Sequence, residues 1–144
     1  GELTSLTLLL LSHNDLRYVA PELSECTNLQ QLTLDNNPSL ESPPIHVVDQ
    51  GMRFTLEYLA ELNKGRTSKV FRLDGRGYLR VPVDLSKYGH LLRLDLSRNH
   101  LTTLPNSICA DLPYLQCFHC FDNRITGLPD GIGLLVNLLD LDAS

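Results

Sequence analysis

Tryptophan is missing from this chain, methionine occurs once, and phenylalanine occurs four times. The mixed apolar core typical of an enzyme of this size is therefore not on offer. Positive charge is also short: 12 Lys and Arg face 17 Asp and Glu, a net charge of −5. That balance argues against a nucleic-acid or anionic-membrane binder, which needs a basic surface. Long apolar runs are lacking too. The run Leu6–Leu11 is broken by Thr7 and stops at Ser12, far short of the roughly 20 residues of a membrane span. With 20% charged and 42% hydrophobic residues, the composition excludes a disordered chain. No signal peptide or sorting tail is visible. The chain starts at Gly1 without a methionine, so it reads as a fragment of a longer chain.

What is abundant is leucine, with 32 of 144 residues. Leucine at this density implies one packing solution used repeatedly. The pattern L-x-x-L-x-L-x-x-N-x-L recurs. Leu6, Leu9, Leu11, Asn14 and Leu16 fit it, as do Leu29, Leu32, Leu34 and Asn37. Leu91, Leu94, Leu96, Asn99 and Leu101 fill every slot. Leu115, Phe118, Cys120, Asn123 and Ile125 fit with conservative replacements, and Leu138, Leu141 and Ala143 begin another copy. Asn14 and Asn37 lie 23 residues apart; Asn99 and Asn123 lie 24 apart. Leu104-Pro105 and Leu128-Pro129 extend two of the copies.

The physics of a strand explains the pattern. Side chains alternate, so the second and third leucines of each copy share one side and the x residues share the other. A single copy cannot bury its leucines; stacked neighbours must. The asparagine closes the turn after the strand and satisfies backbone groups there. Strands are predicted at 8–12, 31–35, 70–74, 93–97, 117–121 and 140–142, all parallel in one sheet, since each copy returns along the opposite side. Both ends of the array are expected to be open edges.

Between Asn37 and Asn99 the period slips. Val81-Pro82 sets a register with Phe71 and Leu73 in leucine slots and Arg76 in the asparagine slot, 23 residues before Asn99. The 39 residues from Asn37 to Arg76 then hold one repeat and an insertion. The insertion falls at Pro43 to Gly65. Met52, Leu56, Leu59 and Leu62 recur there at helical spacing. They predict a helix over 52–62 with those four inward and Arg53, Glu57 and Glu61 outward. Pro43-Pro44 starts the segment, Gly51 marks a joint between two helical pieces, and Asn63-Lys64-Gly65 stops it.

The repeat resembles the leucine-rich repeat family, in its intracellular subtype of about 23 residues. The order Asn37-Pro38, Pro43-Pro44, Gly51 and Tyr58-Leu59 is similar to the segment that closes repeat blocks in Erbin and Scribble relatives. The resemblance implies an α/β fold: a leucine-rich repeat solenoid with a parallel β-sheet on its concave face and a helical insertion. Residues 1–42 form the first repeat block and 66–144 the second. Residues 43–65 are either a helical joint between them or one enlarged repeat, on the convex side in both cases.

No catalytic constellation is found. Cys117 and Cys120 enclose His119, yet on a strand two residues three apart face opposite sides, and no second pair completes a four-ligand metal set. Cys120 fills a leucine slot, and Cys26 and Cys109 read as core filler. Paired-cysteine caps are not seen, and Asn37-Pro38-Ser39 carries the proline that forbids glycosylation. Both favour the cytoplasm. Gly75-Arg76-Gly77 is too short for a phosphate loop. No cofactor is expected.

The concave face is built from the x positions. Arg72 with Asp74 and Arg93 with Asp95 place charge on adjacent strands; Cys117, His119 and Phe121 follow, then Asp140 and Asp142. Ser97 is assigned to this face, and Leu8 and Leu10 are apolar where polarity is expected. Arg72, Asp74, Arg93, Asp95, His119 and Phe121 are the candidate contacts for a protein partner, because arginine and aromatics dominate interface hot spots. A solvated cross-strand charge ladder would explain the Arg/Asp set without a partner. The expected function is a protein–protein interaction scaffold that is not itself an enzyme. The alternatives are a docking module of a larger enzyme or a structural subunit of a large assembly. Leu115 to Asn123, with Thr126 to Pro129 and Gly133 to Leu138, is similar to the repeats before the nuclease domain of poly(A) deadenylases. Kinases and ubiquitin ligases also carry such repeats.

Overall fold

Each leucine pattern becomes a coil: a short strand, a left-handed turn residue, an asparagine slot and an irregular return. The structure is a computed structural model that describes residues 3–82 and 84–144. Gly1 and Glu2 of the first repeat block, and Val83 of the second, lie outside the described residues. Among the described residues the strands are β1 Leu8–Leu10, β2 Gln31–Thr33, β3 Val70–Arg72, β4 Arg93–Asp95, β5 Cys117–His119 and β6 Asp140–Asp142. The returns at Pro21–Glu25, Leu85–Tyr88 and Asp130–Leu134 are 3-10 helices. The α-helices are α1 Ile45–Val48, α2 Met52–Gly65 and α3 Ser107–Asp111.

The pattern predicts one six-stranded sheet, and the hydrogen bonding corrects this to two. β1 pairs with β2, and β3, β4, β5 and β6 pair in order, every pair parallel. Among the described residues no ladder joins β2 to β3; the chain between them is spent on α1 and α2. Contacts divide the chain accordingly into two compact units, Gly1–Asn63 and Lys64–Ser144.

The strands are also shorter than predicted, except β6. The cause is the turn. His13, Asn36, Gly75, Arg98 and Asp122 have φ between 53° and 65°, each immediately before its coil's asparagine slot. The strand must stop for the chain to enter this left-handed region, which costs an ordinary L-residue about 1–2 kcal/mol. Beyond the strand the alternation lapses. Ser97, read as a face residue, is buried, with no hydrogen-bond partner for its hydroxyl.

The asparagines tie coil to coil. Asn37 Nδ2 donates to Leu11 O of the coil before and Leu34 O of its own, and its Oδ1 accepts from Leu16 N–H. Asn99 repeats this with Leu73 O, Leu96 O and the N–H groups of Arg76 and Tyr78. Asn123 does so with Leu96 O, Cys120 O and Leu101 N–H. Asn37 and Asn99 are buried; Asn123 is half-buried rather than buried as expected. Asn14 is exposed and bonds only within its own turn.

In the first unit, Gly51 at φ +102° separates α1 from α2. The buried side of α2 is Thr55, Tyr58, Leu59 and Leu62; Met52 and Leu56, predicted inward, are half-buried. Thr55 is tolerated there because its hydroxyl donates to Gly51 O at 3.1 Å. Tyr58 is anchored by a 2.9 Å hydrogen bond between its hydroxyl and that of Ser42. In the second unit the leucine slots make one core, in which Phe71, Leu94, Leu96 and Phe118 are wholly buried. Phe71 stacks on Tyr88 at 4.8 Å between ring centres. A Cβ on Gly65 would stand 3.2 Å from both rings, so α2 ends on the one residue that fits. His90 Nε2 sits 3.0 Å from Gly65 O and 3.1 Å from Ser68 O, capping that end.

Candidate functional face of the second sheet

The register of β3 to β6 sorts the solvent-facing side chains into rows. One row runs Val70, Arg93, Cys117, Asp140. The next runs Arg72, Asp95, His119, Asp142. Asp74 and Phe121 lie past the ends of β3 and β5, in the slot that Ser97 occupies in its own coil. Arg72, Arg93, Asp95 and His119 therefore lie on one hydrogen-bonded ladder whose strands are about 4.8 Å apart.

Arg72 and Arg93 are exposed; Asp74, Asp95, His119 and Phe121 are half-buried. The charge ladder that the Arg/Asp pattern could have formed does not appear. Among the described residues, neither Arg72 nor Arg93 makes an ion pair. Asp95 instead turns Oδ1 to Ser97 N–H at 3.0 Å. Arg93 points its guanidinium at the Cys117 thiol, 3.6 Å away. Phe121 does not stand free: Arg98 lies over its ring at 5.5 Å, and His119 is 6.4 Å away, tilted.

His119 Nε2 and Asp140 Oδ2 meet at 2.8 Å. His119 was a candidate contact, whereas Asp140 was assigned to the face but not to the contact set. The register aligns His119 with Asp142, so the diagonal partner on β6 could be found only from side-chain direction. Arg98 was missed because it sits in the turn, outside the alternation. Asp142 accepts hydrogen bonds from Ser144 N–H and Oγ–H, and these hold its carboxyl below the usual range.

On the core side, burial, with help from Asp142 and Asp95, pushes the Cys120 thiol up to about 11. Burial raises Cys109 as well. Both are inert packing groups. All four cysteines are free. Among the described residues no cluster of three or more His, Cys, Asp or Glu could hold a metal ion. In the first unit a cleft of about 180 Å³ is lined by residues of β2 and α2, including Thr33, Asp35 and Thr55. Among the described residues that line it, Asp35 is the titratable one. No described helix is long and apolar enough to cross a membrane.

A sequence profile of the Leucine Rich Repeat family matches residues 90–111. The chain is similar to the protein flightless-1 homolog of Caenorhabditis elegans, 28% identical over 166 aligned positions. That alignment covers 99% of this chain and 12% of the relative. In structure it is similar to a leucine-rich repeat protein of Leptospira interrogans, with a TM-score of 0.54 and 25% identity. There the match covers 98% of this chain and 32% of the other. The chain thus spans a minor part of both relatives. With its parallel strands and short helical returns, the fold is the α/β leucine-rich repeat solenoid class.

Proposed function

We propose that this chain, a leucine-rich repeat protein in its fold and repeat, is a protein–protein interaction module that is not itself an enzyme. It engages a protein partner with the solvent-facing side of β3–β6, around Arg72, Asp74, Arg93, Asp95, His119 and Phe121. The observation that carries this reading is the pair Arg72 and Arg93. Two exposed guanidiniums without an ion partner stand on adjacent strands of one sheet, and arginine is enriched at interface centres. Residues 43–65 act as a joint between the blocks 1–42 and 66–144. Four free cysteines fit a reducing, cytoplasmic setting. The net charge of −5 and the absence of a basic stripe weigh against nucleic acid.

The small share of each relative that the chain spans favours one variant of this reading. The module docks a larger protein, whether an adaptor, an enzyme or a structural subunit. The test is a pull-down from native extract with the immobilised chain and its Arg93→Ala/Phe121→Ala variant. Neither residue fills a core slot, so the fold should persist by circular dichroism. Partner retention should fall tenfold or more, as hot-spot truncations cost about 2 kcal/mol or more. Normal retention, with loss on Arg53→Ala/Glu57→Ala instead, would move the docking surface to α2.

A further inference from the structure

The outer edge of β2 is open. Gln31 N–H donates to Thr7 O, and Thr33 O and Asp35 O accept from Leu11 and His13 N–H. These residues turn their backbone to β1, so Leu32 and Leu34 turn theirs the other way. Leu34 O is taken by Asn37 Nδ2 at 2.8 Å. Among the described residues, nothing bonds Leu32 N–H, Leu32 O or Leu34 N–H, because β2 pairs with β1 alone. The cleft of about 180 Å³ is lined by this same stretch, Leu32 to Asp35, and by Val48, Gly51, Met52 and Thr55. All of these lie within the first unit. Leu32 is half-buried as a result, whereas Phe71, Leu94 and Phe118 in the same slot are wholly buried. Asp35 is exposed. Among the described residues its carboxylate makes no ion pair and accepts one long bond, from Ser12 Oγ at 3.4 Å.

We propose that β2 takes an extended, basic segment of a partner protein as its next strand, seated along this cleft. Backbone donors and acceptors that recur every two residues, about 6.6 Å, match another extended chain. A helical partner bonds its own backbone internally and leaves the edge unpaired. Alternate side chains of the added segment point into the cleft and away from it. Those turned inward are aliphatic and meet Leu32, Val48 and Met52. Those turned outward are polar, and a lysine or arginine among them pairs with Asp35. Charge selects a basic occupant: the chain carries −5 overall, which favours a cation at Asp35 and opposes a second copy at the same edge. The site shares no residue with the face of β3–β6 and does not depend on the reading above.

The probe is an acetylated, amidated peptide, Lys-Leu-Thr-Leu-Lys, whose residue order is the same in both directions. Titrated into the ¹⁵N-labelled full chain, it should shift the amides of Leu32 and Leu34 and slow their hydrogen exchange. Two methylated forms keep its charge and side chains. One is N-methylated at both leucines, the other at the threonine and the second lysine. Along an extended segment these two sets of N–H point to opposite sides. One set therefore faces β2, and the form that blocks it should bind about tenfold more weakly. In Asp35→Lys the preference should pass from Lys-Leu-Thr-Leu-Lys to Glu-Leu-Thr-Leu-Glu. Should that variant unfold, Asp35→Asn should erase most of the lysine peptide's advantage over the glutamate one. Equal binding of the parent peptide and both methylated forms overturns the proposal. So do shifts that leave Leu32 and Leu34 untouched, or a preference that the Asp35 variants do not change. Exchange at Leu32 and Leu34 that is already slow in the free chain and quickens on dilution also overturns it, since a second copy then holds the edge.

Discussion

The side-chain amide of Asn99 joins two successive coils. It donates to Leu73 O at 2.9 Å in the coil before and to Leu96 O at 2.9 Å in its own. Its Oδ1 accepts from both Arg76 and Tyr78 N–H at 3.0 Å. Arg76 occupies the asparagine slot of its coil yet offers only its backbone, so Asn99 supplies the bonding for both turns.

Replacing Asn99 with alanine leaves these backbone groups in place without their partner. The loss should be roughly 1–3 kcal/mol in urea melts, the cost of unsatisfied buried polar groups. Asn14→Ala is the control. That residue is exposed and bonds only Leu11 O and Ser12 O, so its removal should cost less than about 0.5 kcal/mol. Equal losses would mean that position in the ladder does not matter.

Leu59 lies on the buried side of α2 with no exposed surface, beside Tyr58 in the same state. Leu59→Asp removes that packing and buries a carboxylate. Large-to-small core changes alone cost about 2–5 kcal/mol, and a buried charge adds to that. The expected loss is therefore at least about 3 kcal/mol. Ala60→Asp, one residue along on the exposed side, should cost only about 0.7 kcal/mol, the difference in helix propensity. If Leu59→Asp melts like the parent, α2 is a free arm.

The leucine slots were legible because their period and order are set by the backbone. Leu94 and Phe118 sit opposite each other in the ladder, where the asparagine spacing placed them. What was not legible depended on local events that break a period. Ser97 lies two residues past the end of β4, where strand alternation no longer sets which side a residue takes. Thr55 entered the core because Gly51 O, just before its helix, supplies an acceptor. The division into two sheets was hidden because each strand segment carries the same pattern whether or not its neighbour pairs. On the face, the positions of Arg72 and Arg93 followed from alternation. Their lack of an ion partner, and the bond from His119 to Asp140, are side-chain directions that no spacing encodes.

His46 carries a pH dependence with a defined sign. Burial lowers its pKa from the ordinary histidine value, against an opposing pull from Asp49. The unfolded chain therefore takes up the proton first as pH falls. Below about 6.5 the unfolded state binds more protons, so stability declines with falling pH. Above that value the contribution is fully present. The difference in urea midpoint between pH 7.5 and pH 5 should be smaller in His46→Gln than in the parent. An unchanged difference would mean that other groups carry the whole acid limb.

The cysteines should separate by reactivity. Cys117 is half-exposed on the sheet face, beside Arg93. Cys120, three residues on, is buried and held near 11 by burial and by the carboxylates Asp142 and Asp95. Alkylation proceeds through the thiolate. At pH 8, about one Cys120 in a thousand is ionised in the folded state, given its raised value. Iodoacetamide added to the native chain should label Cys117 first, with Cys120 and Cys109 following only as the chain opens. In denaturant all four should react together. The same shift has a consequence for stability. Between about pH 8.5, where an unfolded thiol ionises, and about 11, the unfolded state loses a proton that the folded state keeps. Stability therefore falls through this window, and Cys120→Ala should flatten the alkaline limb of a urea-midpoint series. Peptide mapping that found Cys120 labelled as fast as Cys117 would place that side chain on the solvent side and break the register of β5.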